Sequence, residues 1–410
     1  MAVLSIAYLV FGNRLVFGSV AAVELDSALR ASLVSRFDPE SMLPLTLVEI
    51  DDATAAAPTP QVASWGFTSV TPRDKLAEML NRIASFAPAA IVVDVDLSDD
   101  PAEATQGVRH ADEALEQFFK GYTGPSLILV KRSTATHDGQ FAIASSHRFD
   151  PIVSANARLS WAHAMYATDA DGTVRKWAEW FVSCTATGAT ALPSVPLRVL
   201  ATWPTDSGSS FPRPSALAYS APCRPGLTDS RSHVIIYDGA LSGRPGATVS
   251  RNLSRISAWQ VLDPHLRRDD RTLFFGRVVL VGGTRSDSTD LWRTPVGLLP
   301  GLELMANTVR FAPGQLRETG HATTYSLALF LFFCALRWLL RPIVAIAMGV
   351  GCCAGLLWGL GPYVILDAIQ NSIILFAELS IVEETVHLYF DARTHGWRFL
   401  VSPDLRGHAT

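Results

Sequence analysis

Carboxylates gather at the ends of short apolar runs in this sequence, and several carboxylates in one place can hold a hard cation such as Mg²⁺ or Ca²⁺, or bind a cationic molecule. Asp51 and Asp52 close the run LTLVEIDD, and Asp94 and Asp96 fall late in AAIVVDVDLS. Asp287 and Asp290 lie in GGTRSDSTD, the turn that follows a third run, RVVLVGGT. Ligands of open α/β sheets bind beyond the carboxyl ends of the strands, so these aspartates are candidate ligand-binding residues. Helix capping and hydrogen bonding of turn backbone by Asp, Ser and Thr is the structural alternative. In the same turn Gly282, Gly283 and Thr284, with Arg285 beside them, could instead cradle an anion with backbone N–H groups. Neither a P-loop nor a GxGxxG pattern accompanies them.

Signatures of catalysis are missing. The sequence has no HExxH, no nucleophile elbow and no Ser/His/Asp order, and its ten histidines are scattered. His163 and His233 lie beside predicted strands, where a histidine is more often a satisfied core or edge residue than a ligand. Metal-assisted phosphate ester hydrolysis by the aspartates is the one catalytic chemistry left, and the expectation is a protein that is not an enzyme and carries no cofactor. The metal, if there is one, is not identified by spacing, since no CxxC or Cys/His cluster occurs. Of the five cysteines, Cys334, Cys352 and Cys353 lie inside apolar runs. Cys184 and Cys223 remain, and in an oxidising compartment they could close a disulfide; two unpaired thiols fit the sequence equally.

The elements that must position these residues read as an α/β domain. LTLVEIDD (Leu45 to Asp52) is one strand. TPRDKLAEMLNRIASF follows as a helix with Thr71 as N-cap, Pro72 in the first turn, and apolar positions 76, 79, 80 and 83 on one face. AAIVVDVDLS (Ala89 to Ser98) is the next strand, and the three make a βαβ unit with strands buried on both faces. A helix over ADEALEQFFK then leads to SLILVK (Ser126 to Lys131), and RVVLVGGT (Arg277 to Thr284) supplies a further core strand. The expected fold is α/β, with a mainly parallel central sheet flanked by helices. Between the last two strands, Asp171 and Gly172 mark a hairpin turn between two alternating stretches. Residues 204–246 read as a long surface loop interrupted by the strand HVIIYD.

The composition asks for a membrane part as well. Among 410 residues, 49% are hydrophobic and 18% charged, against about 25% charged in ordinary soluble domains, and the mean hydropathy is +0.23. Residues 322–340, 342–360 and 362–382 are apolar stretches near the roughly 20 residues needed to cross hydrocarbon. Arg337 and Arg341 flank the first junction and no cation flanks the second, so the positive-inside rule places the first junction, and the tail 383–410, in the cytoplasm. Residues 1–23 are expected to be an N-terminal transmembrane anchor, apolar except at Asn13 and Arg14, and residues 24–318 to be the domain outside. In the third span Asp367, Asn371 and Glu378 lie within about 40° of one another at 100° per residue. They form a polar stripe that could join helices within the chain or between protomers of a homo-oligomer, or could simply sit near the two interfaces. The net charge is −4, with no run of basic residues to track a phosphate backbone, so nucleic acid is not an expected partner.

Taken together, LVEIDD, a helix opening TPR, AIVVDVDLS, DADGTVR, FFGRVVLVGGTRSDSTDLWRTPVGLLPGLELMANTV and three apolar spans resemble the type 2 CHASE domain, an extracytoplasmic sensory module of bacterial signalling proteins. The resemblance runs from about Leu45 to Val382 and is most specific over Gly276 to Asn307. Arg175, Glu303 and Asn307 also match family positions, either as ligand contacts or as residues that fix hairpin and helix. What the resemblance implies is a multi-pass protein of the bacterial inner membrane with its main domain in the periplasm. It would be a sensor for an unknown extracytoplasmic ligand that passes a conformational signal to a separate output protein, since the stretch after Val382 is too short for an enzymatic domain. The rival reading is a non-catalytic scaffold component of an envelope complex. Its partners would then be the lipid bilayer and an envelope protein.

Overall fold

The computed structural model describes residues 42–56, 71–98, 106–135, 141–144, 146–185, 188–203, 226–227, 232–238, 252–263, 268–285 and 290–318. Nearly all belong to one compact unit, Glu40–Gln315; a second unit, residues 1–39 and 316–410, is described only at 316–318. The N-terminal anchor, the three apolar spans, the stripe Asp367, Asn371 and Glu378, and the tail lie outside the described residues, as do Asp287 and Cys223. Among the described residues no helix is long and apolar enough to cross a membrane.

In chain order the strands are β1 (Leu45–Ile50), β2 (Ala90–Asp94), β3 (Ser126–Lys131), β4 (Ser133–Ala135), β5 (Phe141–Ile143), β6 (Leu159–His163), β7 (Tyr166–Thr168), β8 (Val174–Ala178), β9 (Trp180–Thr185), β10 (Gly188–Pro193), β11 (Gly226–Leu227), β12 (Ser232–Val234), β13 (Leu253–Ser257), β14 (Val278–Gly283), β15 (Leu291–Thr294) and β16 (Gly297–Pro300). The helices are α1 (Asp52–Ala56), α2 (Arg73–Ser85), α3 (Gln106–Lys120), α4 (Asp150–Ala155), α5 (Val195–Thr202), α6 (Ala258–Leu262) and α7 (Gly301–Glu318), with a 3-10 helix at Arg268–Leu273.

One six-stranded parallel sheet organises the unit, in the order β13-β1-β14-β2-β3-β6. The predicted strands β1, β2, β3 and β14 are its four inner members, and their apolar runs follow from burial on both faces. Val48, Ile50, Ile91, Val93, Leu127, Leu129, Val279 and Val281 point to one face, under α2, α3, α4 and α6. Alternate residues such as Leu47, Val92, Ile128 and Leu280 point to the other and are also fully buried; α5 packs against β2, β3 and β6. α2 buries Leu76, Met79, Leu80 and Ile83 completely, each worth about 1.5–3 kcal/mol of apolar burial.

The structure departs from the sequence reading in three places. Pro72, not Thr71, is the N-cap of α2, and it caps with no side-chain bond; its carbonyl accepts the first helical bond, from Leu76 N–H at 3.0 Å. LSWAH, within the alternating stretch that precedes Asp171, is β6, an edge of the parallel sheet paired with β3. The hairpin with Asp171 and Gly172 at its tip joins β7 and β8 instead, and Gly172 supplies the turn with a φ of +76°. β13 was not foreseen, because LSRIS, at the edge of the sheet, carries three polar side chains, Ser254, Arg255 and Ser257.

α7 runs against the strands. Its first turn meets the carboxyl end of β14, where a Cβ on Gly282 would lie 3.1 Å from Leu302 Cδ1, while Arg310 O accepts Leu43 N–H at 3.0 Å just ahead of β1. The chain therefore enters β1 and continues along α7 past the same, amino-terminal edge of the sheet.

Candidate functional site

At the opposite edge, β1, β14 and β2 end side by side with Glu49, Gly282 and Asp94 in one cross-strand row. These three alternate with Val48, Val281 and Val93, so they face away from the α2–α3 core. Gly282 has to be glycine: a Cβ there would stand 3.1 Å from Asp94 Cβ and 3.2 Å from Asp94 O, besides pressing on Leu302.

To one side of Gly282 is Asp94. Its carboxyl is half-buried and, among the described residues, receives no hydrogen bond and forms no ion pair. Burial, and then the like charge of Asp290, push its pKa up to about 7. Asp290 Oδ1 accepts from Trp292 Nε1 at 2.7 Å, and its carbonyl accepts Gly301 N–H at 3.0 Å. Its second oxygen stands where a Cβ of residue 301 would lie at 2.0 Å, so Gly301 lets the carboxylate close on the amino end of α7, an end whose dipole favours negative charge. Tyr166 completes the group. Its ring meets Trp292 edge-on with centroids 5.8 Å apart. Burial raises its phenol above the ordinary range; a hydrogen bond with the Thr308 hydroxyl opposes that shift, and Asp94 and Asp290 add to it. The phenol is therefore neutral at physiological pH. Two carboxylates beside two aromatic rings suit a cation.

On the other side of Gly282 the charges are matched. Arg255 Nη2 donates to Glu49 Oε1 at 2.5 Å and to Glu303 Oε1 at 2.6 Å, and its Nε donates to Glu49 Oε2 at 3.2 Å. Burial nevertheless raises the Glu303 pKa, with Arg255 opposing and Glu49 adding. Glu303 and Asn307 thus both have partners within the fold. Asn307 is fully buried, donates to Glu303 O at 2.9 Å, and accepts Asp238 N–H at 2.7 Å.

The remaining predicted residues scatter. Asp51 Oδ1 accepts from Thr54 N at 2.7 Å, Thr54 Oγ1 at 2.7 Å and Ser257 Oγ at 2.6 Å, starting α1 and tying it to β13. Asp52 is exposed in the first turn of α1. Asp96 accepts from Ser98 N at 3.0 Å and pairs with Arg132 at 2.5 Å; burial would raise its pKa, but the bonds from Ser98 and Arg132 outweigh it and lower it. Arg175 clamps the β7–β8 hairpin through Asp169 at 2.8 Å and Asp171 at 2.6 Å. Of the residues read as an anion cradle, Thr284 N–H donates to Ile50 O at 3.2 Å, and Gly282 and Gly283 pair with Glu49 and Ile50 in the β1–β14 ladder. Among the described residues no three His, Cys, Asp or Glu side chains are placed to hold a metal ion. Cys184 lies on β9, and its proposed partner Cys223 is outside the described residues.

Tyr166, Trp292, Thr308 and Arg255 were missed. Tyr166 carried one faint signal, a polar aromatic on a short strand just before the predicted hairpin turn.

The class is thus an α/β domain with a parallel central sheet, and the row of Glu49, Gly282 and Asp94 lies at the carboxyl ends of its strands, where open α/β sheets bind ligands. The family model of the CHASE2 domain matches residues 2–340, and the chain belongs to that family of extracellular sensory domains. Comparison with the curated proteins and with the solved structures gave no significant match.

Proposed function

We propose that this protein is a membrane-anchored sensor, with Glu40–Gln315 outside the cytoplasm, in which a small organic cation binds at Asp94, Asp290, Tyr166 and Trp292. The observation that carries the reading is Asp94: a half-buried carboxyl that, among the described residues, receives no donor and lies beside a second carboxylate. A carboxyl buried without a partner costs a few kcal/mol, and an ammonium group would supply Asp94 with one. Binding is coupled to α7, because Asp290 closes on its first residue, Gly301, and Thr308 on its third turn bonds Tyr166. A ligand that prefers one position of α7 shifts the population toward it, and α7 leads toward the apolar spans and a separate output protein. The site is non-catalytic in this reading.

Thermal-shift measurement on the full chain in lipid nanodiscs, against a panel of primary amines, diamines, Mg²⁺ and Ca²⁺, tests it. A binder raises the melting temperature by mass action. The reading expects an amine to do so in the wild type and to lose the effect in Asp94→Asn. Stabilisation by every cation alike, undiminished in Asp94→Asn, or by none, would contradict it.

The scaffold reading is favoured by the β15–β16 hairpin, where Leu291 and Leu298 are 45% and 66% exposed. Co-purification of an envelope protein in fixed ratio, lost on Leu298→Glu, would support it.

A further inference from the structure

Among the described residues, the hydrogen-bond donors that border the candidate site are committed elsewhere. Trp292 Nε1–H goes to Asp290 Oδ1 at 2.7 Å, and Gly301 N–H goes to Asp290 O at 3.0 Å. Thr308 is buried on α7, two turns after Gly301 and on the same side of the helix at 100° per residue. It donates its hydroxyl hydrogen to Met305 O at 2.8 Å. A threonine hydroxyl has a single hydrogen, so in the bond with Tyr166 its oxygen accepts and the phenol donates. The phenol oxygen is left with lone pairs only, and the charges of Asp94 and Asp290 both act on it. Asp94 itself receives no hydrogen bond among the described residues. Acceptors are in surplus here and donors are absent.

Two kinds of organic cation suit carboxylates beside aromatic rings, and they need opposite surroundings. A quaternary ammonium has no N–H and is held by ring faces and charge. A primary ammonium has three donors and needs acceptors whose lone pairs are not already taken. The rings of this site do not form a box: Tyr166 and Trp292 meet at 76° with centroids 5.8 Å apart, so the edge of one covers a face of the other. Nor do the carboxylates form a metal cage, since among the described residues no third His, Cys, Asp or Glu joins them.

We infer that the site selects a primary ammonium group, with Asp94 and the Tyr166 phenol oxygen accepting its N–H groups and Thr308 as the positioning residue that holds the phenol hydrogen away from the ligand. The selectivity rests on the cation-binding reading above and names the ligand class for it.

The test measures melting-temperature shifts of the full chain in lipid nanodiscs with butylamine and its N-methyl, N,N-dimethyl and N,N,N-trimethyl derivatives. A buffer at about pH 8 keeps all four cations charged and leaves Asp94 ionised. Apparent affinity should fall along the series, the trimethyl compound binding at least about tenfold more weakly than the primary amine, the scale of one charge-assisted hydrogen bond. Tyr166→Phe removes an acceptor and Thr308→Val frees the phenol hydrogen to enter the site, so each should reduce that ratio by about threefold or more. Thr308→Ser keeps a hydroxyl and should retain it. A merely structural role for Thr308 would lower the melting temperature of the free protein and leave the ratio where it was. Should Thr308→Val fail to fold, Tyr166→Phe with Thr308→Ser makes the same comparison. A trimethyl compound that binds as tightly as the primary amine overturns the inference, and so does a ratio unmoved by Tyr166→Phe; either result leaves the cation site standing. Failure of all four compounds to shift the melting temperature of the wild type refutes the cation-binding reading itself.

Discussion

Glu49 and Asp94 stand on either side of Gly282 in one row of one sheet, yet their electrostatic surroundings are opposite. Glu49 shares Arg255 with Glu303, so the two carboxylates and the cation are mutually satisfied. Asp94 lies beside Asp290, pairs with no cation among the described residues, and its pKa rises to about 7 through burial and then that neighbour. The ion group of Glu49, Arg255 and Glu303 joins the sheet to α7; on the proposed reading, Asp94 takes its cation from a ligand. The two carboxylates share a sheet and a row and differ in their partners: a guanidinium beside Glu49, burial and a second carboxylate beside Asp94.

Removing the guanidinium of Arg255 should be the most destabilising change. Arg255→Ala leaves Glu49 and Glu303 facing each other without a partner, and breaking a largely buried pair costs about 3 kcal/mol, read as a lower denaturation midpoint; Arg255→Lys should recover part of it. Asp94→Asn works in the other direction. A carboxyl whose folded pKa is about 7 and whose unfolded pKa is near 3.9 binds its proton more tightly in the folded state. The folded wild type is therefore penalised as pH rises from about 4 to 7, and most fully above 7. Asp94→Asn should match the wild type below pH 4 and exceed it by up to about 4 kcal/mol at pH 8, measured by melts across that range. If the two curves run parallel, Asp94 titrates normally.

The glycines sharpen the contrast with smaller effects. Gly282→Ala puts a Cβ 3.1 Å from both Asp94 Cβ and Leu302 Cδ1, so α7 must lift slightly, at about 1 kcal/mol. Gly301→Ala meets only the end of the Asp290 side chain, which can swing away. Its stability should change by less than about 0.5 kcal/mol, while the pH-dependence due to Asp94 weakens because its charged neighbour has moved.

How much of this was legible in the sequence follows from where signals are local. β1, β2, β3 and β14 declared themselves because a strand covered on both faces must be apolar at every position. β6 and β13 did not, because LSWAH and LSRIS sit at edges and look half-polar. Asp94 and Asp290 were legible because sheet topology puts strand ends at binding sites whatever the ligand. The same reasoning swept in Asp51 and Asp96, whose partners Thr54, Ser257, Ser98 and Arg132 could not be ranked without coordinates. Arg175, Glu303 and Asn307 came by resemblance, and each has partners within the fold. Tyr166, Thr308 and Arg255 join the row only through folding, from positions 72 to 214 residues away from Asp94 or, for Arg255, 206 from Glu49, and apart from the faint signal at Tyr166 nothing in their own neighbourhoods marks them.

The central claim is that Asp94 is a proton-sharing carboxyl awaiting a cation. Infrared titration of the full chain, with the Asp94→Asn spectrum subtracted, follows the protonated carboxyl band of that one residue. The account predicts a midpoint near 7, falling when a binding amine is present at saturation. A midpoint near 4, the value of an ordinary aspartate, or one that no amine displaces, would contradict it.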